Sequence, residues 1–247
     1  MRTSERVSLA PAFVLHQRAW RESSKIVEIF SLQSGRLGLV ARGSRRPRSP
    51  WRAVLTPFRP LLVSWTLHGD LGTLTHAEPV GAASQISGRE LLAAYYLNEL
   101  ILSLITRHDP QPELFDHYTD ALNMLSDSQR METGLRVFER RLLGAIGYGI
   151  NLEFDENGAP VTGDTCYRFE GERGLSPVEA SDTTGVVVHG SSLQALAAGR
   201  FDTAESLREA RLLLRTALDH QLGGRKLKTR EILRELTRYR STATDRD

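Results

Sequence analysis

Short apolar runs separated by turn residues fill the first eighty positions of the chain. Runs of this kind, rich in Val, Ile, Leu and Phe, are typical of β-strands. The runs end at turn signals such as the segments 33–35 and 68–70. The pattern therefore predicts five strands, preceded by a loose leader at residues 1–8. The predicted strands are Ala12–His16, Lys25–Phe30, Arg36–Arg42, Leu61–Thr66 and Leu71–His76.

Ser49 and Pro50 lie between the third and fourth predicted strands, and this pair is typical of the start of a short helix. Five strands with a helix at this point predict an OB-fold barrel. The same pattern is compatible with an SH3-like barrel. Phe30, Phe58 and Trp65 are expected in the barrel core.

Near residue 80 the apolar residues begin to recur at helical spacing. The first helix is almost entirely apolar and is expected at the centre of a helical bundle. Asp202 and Glu205 have the spacing of a capping box. The predicted helices are Gly88–Arg107, Glu113–Leu125, Met131–Ile146, Ser191–Ala198, one that follows Asp202, and Glu231–Tyr239.

Residues 151–190 lose the helical period, and only Val186–Val188 is typical of a strand, predicted to stand alone. The whole pattern predicts an α+β protein. Its N-terminal domain, residues 1–80, is a five-stranded OB-fold barrel. Its C-terminal domain, residues 81–247, is mainly α-helical, with an irregular zinc-free insert at about 151–190.

The net charge of +2 conceals a strong asymmetry along the chain. Residues 1–80 carry twelve Lys and Arg against five Asp and Glu, whereas residues 81–221 carry twelve against twenty-one. Residues 222–247 are basic again, with eight against four. Two basic ends around an acidic middle indicate separate roles for these regions.

The strongest charge signal lies between Glu28 and Asp70, where seven arginines and no acidic residue occur. Arginine pairs well with phosphate, and neutralising phosphates is the main source of non-specific nucleic-acid affinity. A protein that binds single strands combines a basic groove with stacking rings, and the same domain contains the aromatic residues Trp20, Phe30, Trp51, Phe58 and Trp65. Trp51 lies within the run and is predicted either to contact a base or to pack locally. The alternative for the whole run is a solvated charged loop. The predicted DNA-binding residues here are Arg36, Arg42, Arg45, Arg46, Arg48, Trp51 and Arg52.

A second basic stretch follows the glycine pair 223–224. Its side chains are predicted either to contact phosphates or to provide favourable positive charge near a helix C-terminus. The residues concerned are Arg225, Lys226, Lys228 and Arg230.

No pattern in the chain predicts catalysis or a cofactor. The single cysteine, Cys166, excludes an internal disulfide and a cysteine zinc cluster, and it fits a cytosolic setting. The seven histidines show no metal-ligand spacing, and the acidic residues 153–164 fall in an irregular loop. Neither a phosphate-binding loop motif nor a signal peptide is evident. The most hydrophobic run, residues 91–105, is too short and too polar to span a bilayer.

Three stretches resemble the RecO family of bacterial DNA-repair proteins. The first is A-F-V-L-H-Q-R-A-W-R-E-S-S at 12–24, which leads into S-G-R-L-G-L-V-A-R-G-S-R-R at 34–46. The second is L-R-V-F-E-R-R-L-L-G-A-I-G-Y-G at 135–149, and the third is L-G-G-R-K-L-K-T-R-E at 222–231. Their order and spacing match the family over essentially the whole chain.

This resemblance implies an N-terminal OB-fold and a helical C-terminal domain. It implies binding to single- and double-stranded DNA, annealing of complementary strands, and partnership with RecR. It further implies docking on the C-terminal tail of single-strand binding protein and, indirectly, loading of RecA, in the cytoplasm at the nucleoid. Some members hold zinc with four cysteines after the G-Y-G turn. Here that region has only Cys166, so no zinc is predicted.

The tail of single-strand binding protein is acidic and apolar, so its docking site needs an apolar pocket with cations at the rim. Arg136, Arg140 and Leu142 on the third helix are predicted to provide it. The alternative is that the arginines pair with Glu132 and Glu139 on the same helix.

Two other functional classes compete with a non-catalytic DNA-binding protein. A metal-dependent nuclease would need a carboxylate cluster beside the arginines, and residues 29–69 contain none. An RNA-associated OB-fold protein would show a preference for the ribose 2′-hydroxyl. Composition alone does not separate DNA from RNA, and only the family resemblance favours DNA.

Overall fold

The apolar runs of the N-terminal region form five strands in the computed structural model, which describes residues 5–81 and 86–244. Four of the five strands are longer than predicted, the third has the predicted length shifted by one residue, and all lie where the pattern placed them. The predicted leader is wrong for residues 5–8, because Glu5, Arg6 and Val7 pair with the fourth strand. The strands are β1 (Glu5–Trp20), β2 (Ser24–Ser31), β3 (Gly35–Ala41), β4 (Leu61–His68) and β5 (Leu71–Pro79).

These strands close into a barrel with the order β1-β2-β3-β5-β4. The β3–β5 pair is parallel, with Leu39 opposite Gly72, and the other pairs are antiparallel. A short helix, α1 (Trp51–Val54), lies between β3 and β4. This topology is that of the OB-fold and decides against the SH3-like alternative. Pro50 precedes α1 as its N-cap, one position later than the predicted cap at Ser49.

The barrel interior is filled by side chains from alternate positions of every strand, as period-2 alternation requires. At most 1% of the surface of each is exposed for Val14, Ile29, Leu39 and Trp65. Trp65 was expected there, and truncating such a ring to alanine would cost about 3–5 kcal/mol.

The outer face of β1 and β2 is also buried. Phe13 and Phe30 point away from the barrel interior and pack on Phe115 and Tyr118, with ring centroids 5.1–6.1 Å apart. Phe30 is therefore core, but on the outside of the barrel. The covering helices are α2 (Gly88–Leu104) and α3 (Pro112–Leu125).

Helix α2 lies against the barrel, so its predicted place at the centre of a helical bundle is wrong. Its apolar sequence packs on strands, and the one buried amide on it is satisfied. Asn98 donates to the Leu15 carbonyl at 2.9 Å and accepts from the Tyr118 hydroxyl at 2.5 Å. Phe58, also expected inside the barrel, packs edge-on against Tyr95 of α2.

The chain divides into two compact units between Leu122 and Asn123. The barrel and α2 therefore belong to one unit, and the predicted boundary at residue 80 stays a prediction. Up to residue 244, the second unit contains four α-helices, a short 3-10 helix (Gly171–Arg173) and a small antiparallel sheet in the order β7-β6-β8. Its elements are α4 (Met131–Ala145), β6 (Cys166–Phe169), β7 (Leu175–Val178), β8 (Val186–His189), α5 (Gly190–Ala198), α6 (Ala204–Gln221) and α7 (Lys228–Thr244).

Two local predictions in this unit are corrected. The segment 186–188 is not a lone strand, because Val187 pairs with Arg168 of β6. The cap of α6 is Thr203, whose hydroxyl accepts from the Ser206 backbone N–H at 3.1 Å. Threonine at this position satisfies a donor that the first turn of a helix leaves open.

The insert at 151–190 is cross-linked by side chains around Arg168. Its guanidinium donates to the Asp182 carboxylate and to the Thr184 carbonyl, and it pairs with Glu170 at 3.5 Å. A backbone hydrogen bond from Thr184 is the main reason that the pKa of Asp182 lies below its usual value, and Arg168 adds to the effect. These contacts join the loop between β7 and β8 to the sheet.

Candidate nucleic-acid interface

The arginine loop, residues 42–52, leaves the end of β3 and runs into α1. Gly43 adopts a left-handed conformation with φ +68°, which allows the sharp turn out of the strand. The Ser44 hydroxyl donates to the Ala41 carbonyl at 2.7 Å, and the Arg46 backbone N–H donates to the Gly43 carbonyl at 3.1 Å. Backbone hydrogen bonds and the Ser44 hydroxyl therefore hold the turn at the start of the loop.

Five arginine side chains of the loop are exposed to solvent. Within the described part of the chain no ion pair with a carboxylate neutralises any of them. A surface of one sign raises the local concentration of polyanions and speeds their association. The exposed arginines are Arg42, Arg45, Arg46, Arg48 and Arg52.

Arg45 differs from the other four because its side chain is held. Its guanidinium donates to the Arg21 carbonyl at 3.0 Å, and its backbone N–H donates to the Ser23 carbonyl at 3.0 Å. Both acceptors lie in the turn between β1 and β2. Arg45 therefore fastens the arginine loop to that turn.

Trp51 and Arg36 were predicted at the interface, and the structure gives both a packing partner. The Trp51 indole N–H donates to the Arg42 carbonyl at 3.2 Å, and its half-buried ring packs on the barrel core. Trp51 was predicted either to contact a base or to pack locally, and the structure shows it packed locally. The half-buried Arg36 guanidinium donates to the Leu102 carbonyl near the end of α2, away from the arginine loop.

A groove lies between the arginine loop and the β1–β2 turn. The β2–β3 register, with Lys25 opposite Ala41, brings these two segments side by side. The groove is open and has a volume of about 790 Å³. Trp20, Arg21, Arg42 and Arg46 line it, and Glu22 is its one acidic side chain.

Trp20 is half-exposed and lies between two arginines of its own strand and turn. The guanidinium carbons of Arg18 and Arg21 lie 5.8 and 5.9 Å from the centre of its ring, within cation–π range. Sequence reasoning counted Trp20 among the aromatics of the first domain but missed these three residues as site residues. The signal that would have found them is strand pairing, because residues 18–21 are more than twenty positions from the arginine loop in sequence.

The second basic stretch lies in the second compact unit. Arg225 and Lys226 are exposed in the turn before α7, and Lys228 is exposed as the first residue of that helix. Arg230 pairs with Asp219 of α6 and joins these two helices. The first three side chains are therefore accessible to solvent, whereas Arg230 is half-buried.

The residues predicted to dock a partner peptide are largely buried. Arg136 is 4% exposed and pairs with Glu139 at 3.1 Å, so the alternative predicted for this arginine is present. Leu142 is fully buried. Arg140 is half-buried and donates to the Ala197 carbonyl at 3.1 Å, near the end of α5. Burial, and then the charge of Arg141, lower the pKa of Arg140.

One group of possible metal ligands is present among the described residues. Donor atoms of His189, Glu205 and Glu209 lie within 4.8 Å of one another. Glu209 already accepts from the His189 backbone N–H at 2.9 Å and from its ring Nδ1 at 2.7 Å. Burial opposes ionisation of Glu209, but hydrogen bonds from His189 and Ser192 outweigh it and hold its pKa below the usual value. The Glu209 carboxylate therefore holds the residue that precedes α5 by accepting its hydrogen bonds.

No helix within the described ranges is both long and apolar enough to cross a membrane.

The fold and the cationic groove define an OB-fold protein with a basic barrel surface and a helical C-terminal region. Residues 6–83 match the family described as Recombination protein O N terminal, and residues 87–231 match Recombination protein O C terminal. The chain therefore belongs to the Recombination protein O, or RecO, family.

Relatives in this family are similar over nearly their whole length. The DNA repair protein RecO of Alkalilimnicola ehrlichii is 46% identical over 244 residues, which cover 98% of this chain and 97% of the relative. That of Methylococcus capsulatus is 44% identical, covering 93% and 94%. That of an Azoarcus species is 42% identical, covering 96% and 99%.

Proposed function

We propose that this protein is a non-catalytic DNA-binding protein of recombinational repair. It binds single- and double-stranded DNA, anneals complementary strands and, with RecR, helps to load RecA on strands coated by single-strand binding protein. The observation that carries the proposal is the set of exposed arginines on the barrel, which have no carboxylate partner among the described residues. Membership of a DNA-repair family supports DNA as the polyanion.

Phosphate neutralisation accounts for binding to both forms of DNA. Each phosphate that a cation neutralises releases counterions, which gives a slope of log K against log salt of about −0.7 for single strands and about −0.9 for duplex. Arg42, Arg46, Arg48 and Arg52 are exposed, so the backbone of either form can reach them. Affinity from this source carries no base specificity.

Annealing follows from the same charges without any bond-making residue. Two complementary strands repel each other through their phosphates, and a cationic surface lowers that repulsion while it concentrates the strands. Arg225, Lys226 and Lys228 provide a second cationic surface, in the other compact unit. A protein with two such surfaces can hold two strands at once, which raises their effective concentration.

Docking on the acidic tail of single-strand binding protein is assigned to α4. Arg140 is the accessible cation of the three predicted residues, and it lies beside the exposed Arg141. Arg136 is buried against Glu139 and would act by holding the helix surface in shape. A titration of a tail peptide tests this: Arg140→Ala is expected to weaken binding, and equal affinity would remove the residue from the site.

Annealing of complementary DNA strands, with and without single-strand binding protein, is the test of the main proposal. The wild type is expected to accelerate annealing, and to do so on coated strands. A variant with Arg42, Arg46 and Arg48 replaced by alanine is expected to lose most of this acceleration. Wild-type protein that leaves the annealing rate unchanged would contradict the proposal.

The competing classes are tested with the same material. Incubation of labelled DNA with Mg²⁺ would reveal a nuclease by cleavage. A matched RNA strand that binds clearly better than the DNA strand would favour the RNA-associated class.

A further inference from the structure

The three tryptophans of the barrel unit have different environments. Trp65 is inside the barrel and 1% exposed. Trp51 packs on the core, and its N–H is committed to the Arg42 carbonyl. Trp20 is half-exposed and forms part of the wall of the groove. Of these three, Trp20 alone therefore presents its ring where a ligand can enter.

The groove around Trp20 has the size and charge of a nucleotide site. Its volume of about 790 Å³ is within the range of pockets that hold small ligands. Arg42 and Arg46 come from one side and Arg21 from the other, so phosphate oxygens on either side of a base would meet a guanidinium. Glu22 is the acidic exception on the rim.

We infer that this groove is a subsite for an unpaired nucleotide, with its base stacked on Trp20 and its phosphates bound by Arg42 and Arg46. The inference rests on the proposed function, since it names which state of DNA the groove selects. Stacking of a base on an aromatic ring contributes more binding free energy than a cation–π contact does at an exposed site. A base therefore replaces one guanidinium on the ring, and that arginine becomes available to phosphate.

Selection of unpaired bases follows from geometry. A base inside a duplex is stacked on both faces, so it reaches Trp20 only after it has been extruded, at an energetic cost. A base in a single strand has no such cost. The arginines of the loop bind both forms through their phosphates, whereas the Trp20 subsite adds affinity for single strands alone.

The test compares Trp20→Ala and Trp20→Phe with the wild type on three probes. The probes are a single-stranded oligonucleotide, a hairpin duplex of equal phosphate number, and inorganic polyphosphate. Loss of one stacking contact predicts that Trp20→Ala binds the single strand about 5- to 150-fold more weakly. Its affinity for duplex and polyphosphate should stay within about twofold, and Trp20→Phe should keep most single-strand affinity because a phenyl ring also stacks.

Equal weakening of Trp20→Ala on all three probes, or no weakening on any, would overturn the subsite. A second measurement does not depend on the alanine variant: tryptophan fluorescence of the wild type should be quenched by the single strand and not by polyphosphate. Trp20→Phe should abolish that quenching, and quenching that persists in it would also overturn the subsite. Failure of the proposed function is distinguishable, because the wild type would then bind neither form of DNA.

Discussion

Replacing Arg45, Arg46 and Arg48 together by alanine is expected to flatten the salt dependence of DNA binding. The three side chains are exposed, and their replacement removes one loop contact, the hydrogen bond from the Arg45 guanidinium to the Arg21 carbonyl. The backbone hydrogen bonds of the loop and the Ser44 hydroxyl remain, so the variant should keep the barrel intact. Any change in binding then reports lost phosphate contacts. Thermal unfolding of the variant checks that the fold is retained.

The structure refines the expected magnitude. Arg46 and Arg48 are exposed, whereas Arg45 is held on the Arg21 carbonyl at 3.0 Å and contributes less to phosphate binding. At about 0.7 per single-strand phosphate, the slope should fall by about 1.4 if two contacts are lost and by about 2.1 if three are lost. When salt is raised from 50 to 200 mM, a slope that is smaller by about 2 means that the variant loses about 16-fold less affinity than the wild type does.

Fluorescence anisotropy of a labelled single strand, measured at several salt concentrations, gives the slope directly. The matched control is the triple alanine variant of two exposed arginines and one half-buried arginine that are paired with carboxylates in the second unit. It removes the same charge and should change the slope by less than about 0.5. If the control and the loop variant had the same slope, overall charge would explain the binding and the loop assignment would be wrong. The control positions are Arg200, Arg208 and Arg215.

Three further outcomes test the fold around the site. Trp51→Phe removes the hydrogen bond to the carbonyl at the start of the arginine loop and should lower stability by about 1 kcal/mol in urea unfolding, with little loss of DNA affinity. Asp182 has a lowered pKa, chiefly through the backbone N–H of Thr184, so its stabilisation is present above its unfolded pKa of about 3.9 and is lost as pH falls through the lower folded value. Asp182→Asn should therefore be less stable than the wild type at pH 7, and the difference should vanish in acid; a difference that does not change with pH would contradict this. Gly35→Ala should destabilise the barrel by more than about 1 kcal/mol in the same urea assay, because the new Cβ would lie 2.0 Å from the Asp109 carbonyl oxygen at φ +63°.

The strands were predictable because the barrel buries every second residue, and that spacing is visible in one dimension. β2 and β3 were found within two residues at each end. The barrel was predicted from the number of strands and the place of the short helix, but the pairing that closes it was not, because Leu39 and Gly72 lie in segments more than thirty residues apart. Helix α2 was misplaced for a related reason: its apolar sequence shows that it is buried but not what covers it.

The candidate site was predictable only where it is continuous in sequence. Exposed arginines of the loop were found from the absence of acidic residues alone. The role of Arg36 was not predictable, because its contact is the Leu102 carbonyl of a helix that packs on the barrel from outside. Trp20 became a candidate only when strand pairing placed it beside Arg46. The composition of a segment shows its charge, but the groove beside the arginine loop depends on how β2 pairs with β3.

The turn that carries the arginine loop has a consequence for how its charge can evolve. Its shape depends on Gly43, on the Ser44 hydroxyl, and on main-chain hydrogen bonds that every residue except proline can make. The exposed side chains of Arg42, Arg46 and Arg48 make none of the hydrogen bonds that hold this turn. Mutation at these three positions can therefore raise or lower the proposed DNA affinity, for example to suit a higher salt concentration, with little loss of stability.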